Sequence, residues 1–331
     1  MTSRKRWLLG CSLLVLAALI VASFLEPYQI VPGLLHGDAF YQMRPTRYWQ
    51  EILRNDGRAG KISKETEGRF WHRSNSVPVL QQCLRAPDKN VRWPAAYFLA
   101  RMDYDRKIIA SLCECLHDDD PEVRFQAIGG MLRIQGKSPP PAAVQEMMTV
   151  MKSDPELQIR HAAERVLWRI DPAAAREARG WLHFVSKEWG FSAEVPAPPK
   201  MLEQIVQSPG GPVPAHAFQF WMEPSCFQII VNEYPKDFVE STTEEQRNDG
   251  LRKAVPFFFI GGKITSEKEI EFQGRKGTEL YVEVPDMGDI QQRHFWVGNR
   301  MYVVTLIFQK KFVIPEAAKY FLESFRIETT P

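Results

Sequence analysis

One pattern, repeated three times, constrains the fold of this chain more than any other feature. Residues 86–102, 119–134 and 153–170 each contain an acidic turn, an apolar residue followed by arginine, and an apolar helical stripe. The aligned arginines are Arg92, Arg124 and Arg160. A second apolar helical pattern precedes each copy, so each unit is predicted to be a helical hairpin. Because one hairpin cannot bury its apolar face alone, we expect the units to stack into a solenoid with a continuous core.

The acidic tract Asp118–Asp120 before the second copy suits either a metal site or the start of a helix. The second and third copies both read Asp-Pro-Glu, which is typical of a helix start. We therefore expect Asp120 and Asp154 to be N-caps, with the proline at the first helical position and the glutamate near the positive end of the helix dipole. Asp118 and Asp119 are predicted to be additional loop charge.

The repeated pattern (Asp)-Pro-Glu-x-Arg-x-x-Ala-x-x-x-Leu resembles HEAT-type repeats over about residues 75–170, particularly the short HEAT-like units of bacterial proteins. The resemblance implies that the arginine and the turn aspartate bridge adjacent units. This gives a structural role to Arg92, Arg124, Arg160, Asp120 and Asp154. Solenoids offer an extended surface for protein partners. Possible partner contacts follow the three arginines, and they are Trp93, Phe125 and His161.

The N-terminal sequence is typical of an exported protein. The basic residues Arg4–Arg6 precede an uncharged apolar stretch over residues 7–25, and the next basic residue is Arg44. At 1.5 Å per residue, this stretch is just long enough to cross a hydrocarbon core of about 30 Å. The positive-inside rule then predicts a single-pass signal anchor in the cell membrane of a bacterial envelope, with a cytoplasmic N-terminus and an exported remainder. Cleavage as a signal peptide near Ser23 is the alternative.

The C-terminal half changes from helical to strand-like patterns at about residue 183. The order is strands, a helix, a meander of strands and a last helix, which predicts an α+β domain with an antiparallel sheet and two helices. The stretches "WGFSAEVPAPP", "RHFWVGNRMYVVT" and "AAKYFLESFRI" resemble the PsbP-like α/β sandwich over about residues 183–328. Known members of that family imply an assembly or binding module rather than an enzyme.

Together these patterns predict a multidomain chain. The predicted parts are a basic tip and transmembrane signal anchor (1–25), a bridging segment with a short helix starting at Pro45–Thr46 (26–74), a HEAT-like repeat domain (75–181) and the α+β domain (182–331).

Composition narrows the possible functions. The net charge is +2 and includes the three basic residues at the N-terminus, which argues against a dedicated nucleic-acid binder. The five cysteines are odd in number and scattered, and Cys113-Glu-Cys-Leu-His117 lacks a second ligand pair at zinc spacing. Neither a Gly-x-Ser-x-Gly nor a His-Glu-x-x-His motif occurs. We therefore expect no cofactor, no metal and no enzymatic activity.

The remaining candidate residues have simple structural interpretations. His294 lies alone on a predicted strand, where a surface position or a satisfied histidine is the expected role. Glu279, Glu283 and Asp286 occur in a stretch where polar residues alternate with apolar ones, which predicts a solvated strand face rather than an acidic site.

The leading hypothesis is a membrane-tethered, exported, non-enzymatic scaffold that binds an unidentified protein through its repeats and its C-terminal domain. The alternatives are a small-ligand or lipid-binding module in the C-terminal domain, and a lyase-type enzyme accessory.

Overall fold

The chain divides into two compact units, of which the first ends at Ala175 and the second begins at Arg176. In this computed structural model the described residues are Val21, 28–134, 136–208, 211–223, 225–259, 261–285, 288–309 and 313–328.

Residues 28–179 are mainly helical. Its helices are α1 (Ile30–His36), α2 (Thr46–Ala59), α3 (Lys64–Phe70), α4 (Val77–Cys83), α5 (Lys89–Leu99), α6 (Arg106–Cys115), α7 (Pro121–Met131), α8 (Pro141–Ser153), α9 (Leu157–Ile170) and α10 (Pro172–Arg179). A short antiparallel pair, β1 (Phe40–Tyr41) and β2 (Arg44–Pro45), precedes α2. The three predicted hairpins are α4–α5, α6–α7 and α8–α9, and the second helices of successive hairpins pack on one another.

The starts of the second helices explain why the repeats fold as hairpins. Asp88 caps α5 by accepting a hydrogen bond from the Asn90 N–H, and Asp120 caps α7 in the same way through the Glu122 N–H. The prediction for the third copy is wrong, because α9 begins only at Leu157. The N-cap position of α9 is Glu156, and the Asp154 carboxylate instead accepts the Glu156 N–H and binds an arginine of the preceding repeat.

Residues 28–74 contribute to the helical core, although the sequence predicted a bridging segment with one short helix there. Trp49 of α2 and Phe70 of α3 are fully buried, and their ring centroids are 5.1 Å apart. Phe70 is in turn 5.1 Å from Phe98 of α5. Gly57 lies so close to α5 that a Cβ atom would stand 1.9 Å from the carbonyl oxygen of Asn90. The helical structure here extends beyond the one short helix of the prediction, since α2 continues to Ala59 and α3 follows.

The predicted fold class is corrected at the N-terminus, where it included a transmembrane helix. None of the helices within the described ranges is both long enough and apolar enough to cross a membrane. The stretch 7–25 that carried this prediction lies outside the described residues except for Val21, as does the alternative cleavage position near Ser23. The fold class is accordingly a helical repeat region followed by an α+β region.

The second unit contains two antiparallel sheets. The larger sheet has the strand order β5-β6-β7-β11-β10-β9-β8, and the smaller one has the order β12-β4-β3. The strands are β3 (Leu182–Ser186), β4 (Phe191–Val195), β5 (Lys200–Ser208), β6 (Gly211–Met222), β7 (Ser225–Glu233), β8 (Lys263–Phe272), β9 (Arg275–Val284), β10 (Gly288–Val297), β11 (Arg300–Phe308) and β12 (Arg326–Ile327). The helices are α11 (Lys236–Ser241), α12 (Glu244–Phe258) and α13 (Pro315–Ser324). The short helix α11 was not predicted.

The two faces of the seven-stranded sheet are covered differently. One face packs its phenylalanines against the smaller sheet and α13, as in the contacts of Phe218 with Phe191 and of Phe227 with Phe321. The other face is covered by α12, whose Val255 lies in a cluster with Leu280 and neighbouring apolar residues of β9 and β10. Because successive side chains of a strand point to opposite faces, each strand contributes to both layers.

Candidate functional site

The first arginine of the repeats, Arg92, bridges two successive hairpins. Its Nε and Nη2 donate to the two carboxylate oxygens of Asp118 at 2.8 and 2.9 Å, and Nη2 also reaches Asp119. Its Nη1 donates to the carbonyl oxygens of Ala86 and Pro87 in the turn of its own hairpin. The hydrogen bonds to Asp118 raise the pKa of Arg92 above its ordinary value. Asp118 and Asp119 are therefore bridging residues, and their prediction as plain loop charge was wrong.

Arg124 repeats this geometry one hairpin further along. Its Nε and Nη2 donate to Asp154 at 2.7 and 3.1 Å, and its Nη1 donates to the carbonyl oxygens of Asp118 and Asp119. Both side chains are buried, with exposed fractions of 8% for Arg124 and 4% for Asp154. The bridging role that the resemblance implied for Arg124 and Asp154 agrees with this geometry. Arg92 and Arg124 each hold the turn of their own hairpin and link it to the turn of the next hairpin.

Two other candidate residues do not form this bridge. Asp120 caps α7, and its ion pair is with Lys89 at 3.0 Å rather than with a repeat arginine. Arg160 donates from Nη1 to the carbonyl oxygens of Asp154 and Pro155. No ion pair of Arg160 with a carboxylate is found within the described part of the chain.

The candidate contact residues occupy the same position on three successive second helices. They are Trp93 of α5, Phe125 of α7 and His161 of α9. Each follows an arginine that points into the repeat structure, and a step of one residue turns the side chain by about 100° around the helix. Phe125 is accordingly 47% exposed, whereas Trp93 and His161 are half-buried. We call this set the aromatic row.

A cluster of aromatic, cationic and amide groups lies at Gln126, the residue that follows Phe125 in α7. The guanidinium of Arg101 lies 3.4 Å from the ring centroid of Tyr97, and its Nη1 donates to the Gln126 side chain at 3.2 Å. Gln126 donates in turn to Glu122 at 2.6 Å. Burial lowers the pKa of Arg101, although a guanidinium remains protonated at neutral pH. Aromatic residues and arginine are the types enriched in protein–protein interfaces.

The cysteine and histidine residues of the repeats do not form a metal centre or an activated thiol. Across the described ranges, no group of three or more His, Cys, Asp or Glu side chains could hold a metal ion. Burial raises the pKa of Cys113 to about 11 and that of Cys115 to about 12, so both thiols are protonated and weakly nucleophilic at neutral pH. His117 is instead paired with Glu146 at 2.7 Å.

The second unit contains a cavity of about 210 Å³ between the seven-stranded sheet and α12. His294 and Gln292 of β10 line it, and the His294 Nε2 lies 3.3 Å from the Gln292 Oε1. Burial lowers the pKa of His294 to about 4, so the ring is neutral at pH 7. The sequence signal for this site is the presence of amide side chains inside otherwise apolar strands, and such a pattern alone does not indicate a cavity.

Of the residues predicted to form a solvated strand face, Glu283 is exposed and Asp286 lies outside the described residues, but Glu279 has a different role. Glu279 is 6% exposed and accepts hydrogen bonds from Arg293 at 2.7 Å and from Gln291 at 3.0 Å. It therefore forms a buried ion pair between β9 and β10.

Comparison with known proteins supports the helical half most directly. Residues 71–168 match the family described as HEAT repeats, so the predicted resemblance over about residues 75–170 is confirmed. A comparison with curated proteins finds no match.

Among solved structures, the chain is similar to the solution structure of cyanobacterial PsbP (CyanoP) from Synechocystis sp. PCC 6803, with 14% identity and a TM-score of 0.34. That similarity covers 44% of this chain and 92% of the other. The crystal structure of an engineered protein is similar with 19% identity and a TM-score of 0.28, over 46% of this chain and 68% of the other. The sequence predicted a PsbP-like resemblance, and a cyanobacterial PsbP is among the structures to which the chain is similar; this similarity says nothing about what the chain binds.

Proposed function

We propose that this chain is a non-enzymatic scaffold that binds a protein partner through the second helices of its HEAT repeats. HEAT repeats suggest a protein-interaction role, and the repeat match supports this in general terms. The observation that carries the specific proposal is the exposure of Phe125 in the middle of the aromatic row.

The physical argument concerns the side chains that surround Phe125. An exposed phenylalanine gains free energy when a partner covers it, by about 25 cal/mol for each Å² of apolar surface removed from water. Arg101, which binds the side chain of the next residue Gln126, adds a cation that lies against the Tyr97 ring. Interfaces commonly place a few aromatic and arginine anchors within a polar rim. The ion pairs of Arg92 and Arg124 with the next repeat fix the helices that carry the aromatic row, so the row is held ready for a partner.

The test compares two variants of the full chain in a pull-down from the native cells, with partners identified by mass spectrometry. Phe125→Ala removes the proposed anchor, and Lys152→Ala is the control at an exposed position of α8, outside the aromatic row. A partner held by an interface anchor should be recovered with the unchanged chain and with Lys152→Ala. Its affinity for Phe125→Ala should fall by about tenfold or more. Equal recovery with both variants would exclude Phe125 as the anchor and contradict the proposal.

Export from the cytoplasm is a second part of the proposal. It is supported by the sequence alone, where Arg4–Arg6 precede an uncharged apolar stretch. A fusion of the first thirty or so residues to alkaline phosphatase, which is active only outside the cytoplasm, tests it. An inactive fusion that is nevertheless produced would refute export.

A further inference from the structure

The cavity under α12 adjoins a second one of about 280 Å³. The two cavities share three lining residues, which are Val206, Tyr234 and Leu251. We call the first the inner cavity and the second the outer cavity. Both lie within the second unit, between α12 and the sheet face opposite to α13, so their chemistry is independent of the repeats.

The inner cavity is lined by neutral groups only. Its polar side chains belong to Gln204, Gln228, Asn232, Tyr234, Gln292 and His294. The remaining lining residues are apolar, with Val213, Ile230 and Val303 among them. Because burying an unpaired charge is costly, this cavity suits an uncharged, largely apolar group that can take one or two hydrogen bonds from the amides.

The outer cavity differs because a cation lines it. The Arg247 Nη1 donates to the carbonyl oxygens of Val239 at 3.0 Å and Thr242 at 2.6 Å, and the guanidinium lies 4.8 Å from the Trp296 ring centroid. These contacts hold the guanidinium in place. Its Nε is buried without a hydrogen-bond partner, and no carboxylate of the described residues lies within ion-pair distance of it.

Arg252 of the same helix, by contrast, is paired with a carboxylate. Its Nε donates to both carboxylate oxygens of Glu267 on β8, at 2.7 and 2.9 Å. Arg247 has no such counter-charge, although it is fixed and lines a cavity. The fixed geometry and the unmatched charge together favour an anionic group as the occupant of the outer cavity.

We propose that the second unit binds a small organic monocarboxylate with an apolar body. The carboxylate pairs with Arg247 in the outer cavity, and the apolar body lies in the inner cavity against Val213, Ile230 and Val303. Both cavities are smaller than the roughly 300–1,000 Å³ of pockets that hold drug-sized ligands, so a short chain fits best. This site goes beyond the proposed role of the repeats and does not depend on it.

The experiment uses the full chain with octanoate as the probe, and 1-octanol and octylamine as probes of the same length with different charge. Isothermal titration calorimetry measures binding, and thermal unfolding measures stabilisation of the native state. Octanoate should bind most tightly and raise the melting temperature, 1-octanol should bind more weakly, and octylamine should bind least. Equal binding of octanoate and octylamine, or no binding of octanoate at millimolar concentration, would overturn the proposal.

Two variants separate the roles of the cavities. Arg247→Gln should weaken octanoate binding by about tenfold to a hundredfold and leave 1-octanol binding unchanged, since only the charged hydrogen bonds are lost. Arg252→Gln is the matched control and should bind octanoate as the unchanged chain does. Ile230→Phe fills the inner cavity and should weaken both probes.

The proposal is also overturned if Arg247→Gln and Arg252→Gln weaken octanoate equally, because the charge would then act only at long range. If Arg247→Gln does not fold, the relative affinities of octanoate, 1-octanol and octylamine for the unchanged chain decide whether the proposal holds.

Discussion

The buried ion pair between Arg124 and Asp154 gives the sharpest test of how the repeats are held together. Replacing Arg124 by methionine keeps much of the apolar stem but removes four hydrogen bonds, two to Asp154 and two to backbone carbonyls. The Asp154 carboxylate, only 4% exposed, then keeps the Glu156 N–H as its one hydrogen-bond donor among the described residues. The variant therefore leaves a buried charge without its counter-ion.

The expected cost follows from that geometry. Removing one partner of a buried ion pair typically lowers the free energy of unfolding by about 3–5 kcal/mol. This is a large part of the ~5–15 kcal/mol that a domain commonly has. Arg85→Met is the matched control, because Arg85 is 76% exposed and its pair with Glu114 is longer, at 3.6 Å. The control should change the unfolding free energy little, since exposed pairs contribute weakly.

Urea unfolding followed by far-ultraviolet circular dichroism measures the effect, because helix content reports mainly on the repeats. Asp154→Ala and the double variant complete a double-mutant cycle, for which we expect a coupling energy of about 1–3 kcal/mol. The reasoning would be refuted if Arg124→Met cost no more than Arg85→Met. The reasoning would also be refuted if the changes in unfolding free energy of the two single variants added up to that of the double variant. Additive changes would show that the two side chains do not stabilise each other.

Two further predictions concern packing and pH. Gly57→Ala should lower the free energy of unfolding by about 1–3 kcal/mol, because its Cβ would meet the Asn90 carbonyl oxygen at 1.9 Å. Gly68→Ala, where a Cβ meets no atom within 4 Å, should instead stabilise α3 by about 0.5–1 kcal/mol, and urea unfolding measures both. Burial lowers the pKa of His294 to about 4 from its ordinary value, so the unfolded chain takes up this proton first as the pH falls. The stability of the second unit should therefore decrease by about 1.4 kcal/mol per pH unit between about pH 6.5 and 4 through this group, and His294→Leu should remove that slope.

These two predictions can fail in distinct ways. If both glycine variants changed stability in the same direction, the close approach of α2 to α5 would not be the cause. If the pH slope persisted unchanged in His294→Leu, other groups would be responsible for the acid sensitivity.

The repeats could be predicted well because their signals are local. An arginine at a fixed place in each copy, an aspartate before a proline and an apolar stripe all lie within about 20 residues of one another. The partner of each arginine could not be read in this way. Arg92 pairs with Asp118, although Asp120 is only two residues further along the sequence, and only the three-dimensional path of the turn decides between them.

The cavity of the second unit was hidden for a related reason. His294 and Gln292 belong to β10, whereas Asn232 and Gln228 belong to β7, and more than 50 residues separate the two strands in the sequence. Strand pairing through β11 brings them onto one face. Alternation of side chains in the sequence predicts that two faces exist. It does not say which face a helix covers incompletely, so neither the cavity nor the unmatched charge of Arg247 could be foreseen.

The packing of Trp49 and Phe70 against α5 has a consequence for dissecting this protein. A fragment cut at the start of the recognisable repeats, near residue 71, would lose α2 and α3 and leave the Phe98 side of α5 open to water. Such a fragment should aggregate for reasons unrelated to its partner. A fragment that begins before Ile30 keeps the natural end cap of the solenoid. The boundary of the autonomous folding unit therefore lies about forty residues upstream of the boundary that sequence similarity marks.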